Sequence, residues 1–222
     1  MCCLICAGIR QFLSRRAEWS GPFAYLRSMI SDSIKWNERH GAKTGFHAPD
    51  SYLQQRLSQL KPGKALDIAC GRGRNAFLLA ASGFETTAAD IAEVGLQHLR
   101  AAAHERHLSV ETMLIDLDEP DLLHHKAPFD TIICINFKPG KPLLKLIPDL
   151  LSQGGTFLWV SFNELQVALN AFPPAKALHP EEFVDSFNSL KMVEYKRFTD
   201  ETGHRDAYLF TKTALLDDKG CR

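Results

Sequence analysis

The stretch Ala65-Leu66-Asp67-Ile68-Ala69-Cys70-Gly71-Arg72-Gly73 constrains the fold of this chain more than any other. A short apolar run, interrupted once by a carboxylate, is cut off by two glycines one residue apart. Such a run reads as a buried strand delivered into a tight turn, where glycine permits positive φ and close approach of backbone to a ligand. Good helix formers follow from Arg74 to Ser82, and Gly83 stands where a helix C-cap belongs. Strand, glycine turn and helix in this order open an α/β sheet whose ligands sit beyond the carboxyl ends of the strands.

The alternation continues. Phe84 to Ala89 reads as a second strand, Ile91 to His107 as a helix, Val110 to Leu117 as a third strand, and Phe129 to Ile135 as a fourth. Lys141 to Leu151 reads as a helix that Pro148 bends, and Gly154-Gly155 leads into a fifth strand, Thr156 to Ser161. The apolar character of the first, fourth and fifth strands suits central positions in a parallel sheet covered on both faces. Pro180 to Leu190 then reads as a helix. Met192 to Phe198 and Arg205 to Thr213 read as strands around a polar turn at Asp200 to His204, an antiparallel hairpin at one sheet edge.

Bulk properties narrow the function. Lys plus Arg and Asp plus Glu are both 26, giving zero net charge, which disfavours a nucleic-acid partner that needs phosphate neutralisation. No run approaches the roughly 20 apolar residues of a membrane helix. The six cysteines (Cys2, Cys3, Cys6, Cys70, Cys134 and Cys221) do not form a spaced disulfide framework, which favours a reducing, cytoplasmic setting. Cys3-Leu4-Ile5-Cys6 has no second pair at metal spacing, so no metal site is expected. Residues 1–30 form an extension of unassigned role, either a tail, a targeting peptide or a stretch upstream of a true start at Met29.

Three acids fall at the ends of successive strands: Asp67 within the first, Asp90 after the second, and Asp116 in Ile115-Asp116-Leu117-Asp118 after the third. Gly71-Arg72-Gly73-Arg74-Asn75-Ala76 satisfies G-x-G-x-x-A, and Asp90 stands where an acid accepts from ribose hydroxyls, a pattern shared with nicotinamide dinucleotide sites. Asp67 separates the two classes. It would repel a pyrophosphate, whereas S-adenosylmethionine brings a sulfonium and an ammonium that a carboxylate attracts. Asp116 can accept from an adenine amine, with Ile91 and Leu117 against the ring. As helix N-cap or turn residues, Asp90 and Asp116 have simpler readings too, but a strand-interior carboxylate such as Asp67 is costly unless partnered.

Asp67-Ile68-Ala69-Cys70-Gly71-Arg72-Gly73-Arg74-Asn75 resembles the first motif of the class I S-adenosylmethionine-dependent methyltransferases, with Ala69 in place of a frequent glycine. Gly154-Gly155 resembles the P-G-G that precedes their fifth strand, with Gln153 replacing proline. Upstream, Trp36-Asn37-Glu38-Arg39-His40, Gly45 and Pro49-Asp50-Ser51-Tyr52-Leu53 are similar to the W-x-x-R-Y, G and P-x-x-x-L entry of tellurite-resistance-type and thiopurine-type enzymes, with His40 replacing tyrosine. The resemblance implies a doubly wound, mostly parallel, seven-stranded Rossmann-like α/β sheet with a C-terminal antiparallel hairpin. It also implies a helical lid at 31–62, a cofactor domain at 63–213 and a polar tail at 214–222. It further implies that S-adenosylmethionine is held by Arg39 (at the methionine carboxylate), Asp67, Ala69, Gly71, Gly73, Asn75, Asp90, Ile91, Asp116 and Leu117.

The expected activity is methyl transfer to a small-molecule acceptor, a thiol or chalcogen oxyanion, by a monomer or weak homo-oligomer. A soft nucleophile needs little base catalysis, and no catalytic base is assigned. His47 and His179 are candidates to face the pocket, and His124-His125 read as solvated. Ile135-Asn136-Phe137-Lys138-Pro139 lacks the N/D-P-P-Y/F of methyltransferases acting on base amino groups, although Asn136 and Phe137 can line an acceptor pocket. The alternatives are an NAD(P)-dependent oxidoreductase and a cofactor-binding protein without turnover.

Overall fold

The computed structural model describes residues 22–170 and 172–213. Cys2, Cys3, Cys6, Cys221 and the tail 214–222 lie outside the described residues. The described residues begin with α1 (Pro22–Gly41), which runs through residue 30 and so crosses the expected start of a lid, and α2 (Ser51–Arg56). The sheet region follows as β1 (Lys64–Ile68), α3 (Arg74–Ala81), β2 (Glu85–Asp90), α4 (Glu93–Glu105), β3 (Val110–Leu114) and β4 (Phe129–Ile135). It continues as α5 (Lys141–Leu150), β5 (Leu151–Phe162), α6 (Glu164–Asn170), β6 (Leu190–Asp200) and β7 (Gly203–Lys212).

The seven strands form one sheet in the order β3-β2-β1-β4-β5-β7-β6. The first five are parallel, and β7 and β6 close the edge antiparallel. The strands read as apolar, β1, β4 and β5, are the central ones. Both faces are covered. On one face Leu143, Ile147 and Leu150 of α5 meet Leu66, Ile132, Phe157, Trp159 and Tyr208. On the other, Tyr52 and Leu53 of α2 and Leu79 of α3 meet Ile133, Leu158 and Leu209. Strand order reverses between β1 and β4, so ligands are expected in the crevice there.

Two expectations are corrected, and one element was not expected. The third strand stops at Leu114, not Leu117. Asp116 accepts from the Asp118 N–H at 2.9 Å, and its carbonyl accepts from Glu119, so a side-chain turn replaces the ladder. Pro180 to Leu190 is not a helix. Glu181 takes φ +56, and the N–H groups of Glu182, Val184, Ser186 and Leu190 each reach back three residues in successive turns. Those turns set Phe183 and Phe187 against Trp159, Phe157 and Phe210, which satisfies the same apolar spacing without a helix. Finally, α6 was not foreseen. It is one short turn-rich helix with its two leucines, Leu165 and Leu169, exposed, so it carries no amphipathic signal.

The start of α2 is fastened to the sheet by a buried ion pair. Asp50 caps α2, accepting from the N–H groups of Tyr52 and Leu53. The same carboxylate meets Arg205 of β7 at 2.5 Å, and Arg205, which is fully buried, also pairs with Asp200. Removing one partner of a buried pair strands a charge. Arg205→Met is therefore expected to lower unfolding free energy by about 3 kcal/mol or more, measured by urea denaturation. A change below about 1 kcal/mol would contradict the fastening role.

Candidate cofactor site

The turn between β1 and α3 is shaped by what surrounds it. Gly73 takes φ +85, and a Cβ there would lie 2.5 Å from the Leu99 side chain of α4. Gly95 of α4 admits the turn: a Cβ on it would stand 2.8 Å from the Gly71 carbonyl oxygen. Ala69 takes φ +56, a left-handed conformation in which the glycine of the family pattern has no steric penalty and alanine costs about 1 kcal/mol. Backbone held off its favoured regions clusters at functional sites.

Asp67 is buried, and its Oδ2 has no hydrogen-bond partner. Burial, with Asp90 nearby, pushes its pKa up to about 8, against the opposing influence of Arg74 and the Ala76 N–H. An unsatisfied buried carboxylate oxygen is costly in itself and is what a cationic ligand satisfies. Asp90 accepts from the Gly71 N–H at 2.7 Å through Oδ2 and from the Ala92 N–H at 2.8 Å through Oδ1. It thus ties the turn to β2 and caps the approach to α4, and burial raises its pKa. Ile91 is half-buried, Leu117 is buried, and Asp116 lies in the loop beyond β3. The expected acids therefore gather at the ends of β1 and β2 and just past β3.

Arg39 is exposed on α1 with its guanidinium 5.1 Å from the Trp36 ring centre. It belongs to a group of cations with Lys43 and Arg72, all close enough to lower the pKa of His40. Lys43 is itself held below its ordinary value by burial first and then by Arg39, Arg72 and Arg74. Arg72 donates to the Lys43 carbonyl at 2.7 Å, lies over the Phe46 ring and keeps a buried, unpartnered Nε. Asn75 is engaged otherwise than expected: its Oδ1 accepts from the Asp50 N–H at 2.9 Å, joining the lid to the first turn of α3.

Several contributors lie outside the cofactor-binding set expected from the sequence. His40 is buried with its ring 3.0 Å from where a Gly71 Cβ would be, and burial, then Lys43, lowers its pKa to about 4. Asn37 accepts from the Val94 N–H at 2.9 Å, docking α1 on the first turn of α4. Asn136, after β4, takes φ +58 with a buried, unpartnered Oδ1. Only the W-x-x-R-Y-like spacing pointed toward His40, and nothing in composition marked Gly95. His47, His124, His125 and His179 are exposed.

The family model "Tellurite resistance protein TehB" matches residues 34–206. The chain belongs to the TehB family. This places it in the class I S-adenosylmethionine-dependent methyltransferase superfamily, and the nicotinamide alternative is not favoured. A probable S-adenosyl-L-methionine-dependent methyltransferase TehB of Haemophilus influenzae (strain 10810) is 23% identical over 158 residues, covering 66% of this chain and 54% of that protein. The chain thus spans about half the length of this curated relative. The crystal structure of TehB from Haemophilus influenzae superposes with a TM-score of 0.60 at 19% identity, covering 82% of this chain and 67% of that one. The 1,6-didemethyltoxoflavin-N1-methyltransferase of Burkholderia thailandensis, solved with S-adenosylhomocysteine, superposes with a TM-score of 0.63 at 17% identity, covering 90% and 94%. These superpositions establish the fold of the TehB-family chain.

The raised pKa of Asp67 has a measurable consequence. The folded chain holds this proton up to about pH 8, the unfolded chain only to about pH 4. The stability associated with the proton is present in acid and lost as pH rises through 8. Asp67→Asn removes that loss. At pH 8.5 it is expected to melt at least about 2 °C above the parent, with the gap closing toward pH 5, and to bind no S-adenosylhomocysteine. A lower melting point at pH 8.5 would mean that the carboxylate is paired in the folded chain.

Proposed function

We propose that this chain transfers the methyl group of S-adenosylmethionine to a small-molecule acceptor, a thiol or a chalcogen oxyanion. The observation that carries the reading is the unpartnered Oδ2 of buried Asp67 beside the glycine turn. It fits a cation and disfavours a pyrophosphate. In this reading Asp67 attracts the charged end of the cofactor, and the backbone of Ala69, Gly71 and Gly73 approaches it closely. Asp90 offers its remaining lone pairs to the ribose. Asp116, with Ile91 and Leu117, takes the adenine. Arg39, with Lys43 and Arg72, faces the carboxylate, and Asn75 acts through Asp50 to hold the lid.

When bound, the cofactor supplies an electrophilic methyl carbon on a sulfonium. The protein supplies proximity and orientation, and the lid excludes water. A soft acceptor suits the site, because His47 and His179 are exposed and a thiolate or chalcogen oxyanion needs little base catalysis. The family's description as tellurite resistance proteins supports the same choice. No helix among the described residues is long and apolar enough to cross a membrane. Cys70 and Cys134 are buried free thiols, which suits a reducing, cytoplasmic setting, and the chain is read as a monomer or weak homo-oligomer without a nucleic-acid partner.

Two measurements test this. Purified protein given methyl-labelled S-adenosylmethionine with selenite, tellurite, a thiol, a phenol or an amine is expected to label the first three. Labelling confined to the phenol or amine would overturn the soft-acceptor reading. Because the cofactor cation favours ionised Asp67, affinity for S-adenosylhomocysteine is expected to tighten as pH rises toward about 8 and to level above it. Affinity that is flat between pH 6 and 8 would place the ligand away from Asp67.

A further inference from the structure

A groove of about 410 Å³ lies between α5 and the turns at 183–189. Its buried lining is apolar. Phe183 and Phe187 pack inward on Trp159 and Phe157, with half-buried Leu144 and Pro148 beside them. Its exposed lining carries Lys141 and Lys145, one turn apart on α5. Neither lysine meets an acid within ion-pair distance among the described residues. An apolar trough flanked by two unpaired cations suits an occupant with adjacent apolar and acidic groups.

A segment of this chain arrives at the right place. β7 stops at Lys212, whose Nζ donates to the carbonyls of Pro148 at 2.7 Å and Leu151 at 2.8 Å. The backbone of Lys212 pairs with Leu190, the residue after Ser189. Pro148 and Ser189 both line the groove, so the chain leaves the sheet at the groove's edge. Beyond Thr213 the sequence, which lies outside the described residues, reads Ala214-Leu215-Leu216-Asp217-Asp218. Two leucines come first and two acids after them. Lys145 and Lys141 stand within two turns of Pro148 along α5, about 10 Å at the helical rise, and residues 214–218, extended, reach about 16 Å. Asp149 at the Pro148 end repels acids, which leaves that end to the leucines. We propose that residues 214–218 dock in this groove of their own chain. Leu215 and Leu216 lie against Phe187, Pro148 and Leu144, and Asp217 and Asp218 meet Lys145 and Lys141. So seated, the segment straps the turns at 183–189 to α5. The inference does not depend on which cofactor or acceptor the chain takes.

The test is zero-length carbodiimide cross-linking of the whole chain, read by peptide mass spectrometry in a mixture of isotope-labelled and unlabelled protein. Amide links from Asp217 or Asp218 to Lys141 or Lys145 are expected within single chains, in excess of links from these acids to other lysines. Lys141→Glu/Lys145→Glu is expected to lose the links. With Asp217→Lys/Asp218→Lys added they return, amine and carboxylate exchanged. Leu215→Asp/Leu216→Asp is expected to cut the link yield by about tenfold and to lower the melting temperature by about 2 °C or more. Links that join labelled to unlabelled chains would give the groove to a second copy and overturn the proposal. Links to other lysines only, or no links, would overturn it too. So would a leucine variant whose links and melting are unchanged, or a charge-exchanged protein in which the links do not return.

Discussion

The site depends on a close fit between one turn and one helix. Leu99 occupies the space that a Gly73 side chain would need, and the Gly71 carbonyl occupies the space that a Gly95 side chain would need. The turn and α4 are therefore pressed together at two points, each tolerating only glycine. The Gly71 N–H can then reach Asp90, and the buried end of α1 can lie against both through His40. A methylene added at either glycine would displace the backbone of the turn, and with it the acid at the end of the neighbouring strand. Interiors packed at this density transmit such shifts instead of absorbing them.

Upon this frame the charges are sorted. Carboxylates stand at the ends of β1 and β2 and past β3, from Asp67 through Asp90 to Asp116, while the cations Arg39, Lys43 and Arg72 gather around His40. Charges sorted in this way favour one orientation of a zwitterionic ligand over its reverse. Two groups record this sorting: burial and Asp90 raise the pKa of Asp67, and burial and the arginines around it lower that of Lys43. Arg74 is shared between the two halves, pairing with Asp50 at 3.5 Å while lowering the pKa of Asp67.

The central strands were legible because β1, β4 and β5 are apolar on both faces, and the hairpin was legible because a polar turn separates two strand-like runs. Asp67 was legible because a carboxylate within an apolar run has few explanations. What escaped depends on tertiary contact. Pro180 to Leu190 spaces its phenylalanines as a helix does, but the positive φ of Glu181 and the aromatic wall behind it decide the backbone. Asp116 kept its place near the site although the strand before it is shorter than its apolar pattern suggests. Gly95 carries no pattern at all, Asn37 fills a variable position of its motif, and Asn136 was read only as a candidate to line an acceptor pocket. Their importance lies in what is opposite them, which a single sequence does not display.

The N-terminal helices are secured at two separate places, by Asn37 on α4 and by Asp50 on β7. Between them 42–48 is exposed, yet it is tied down by side chains of the glycine turn and the first turn of α3: Arg72 donates to the Lys43 carbonyl, Arg74 to the Ala48 carbonyl, and Phe46 stands edge-on to Phe77. The conformation of this span and that of the turn are therefore coupled, so that a change in either sequence is felt by the other.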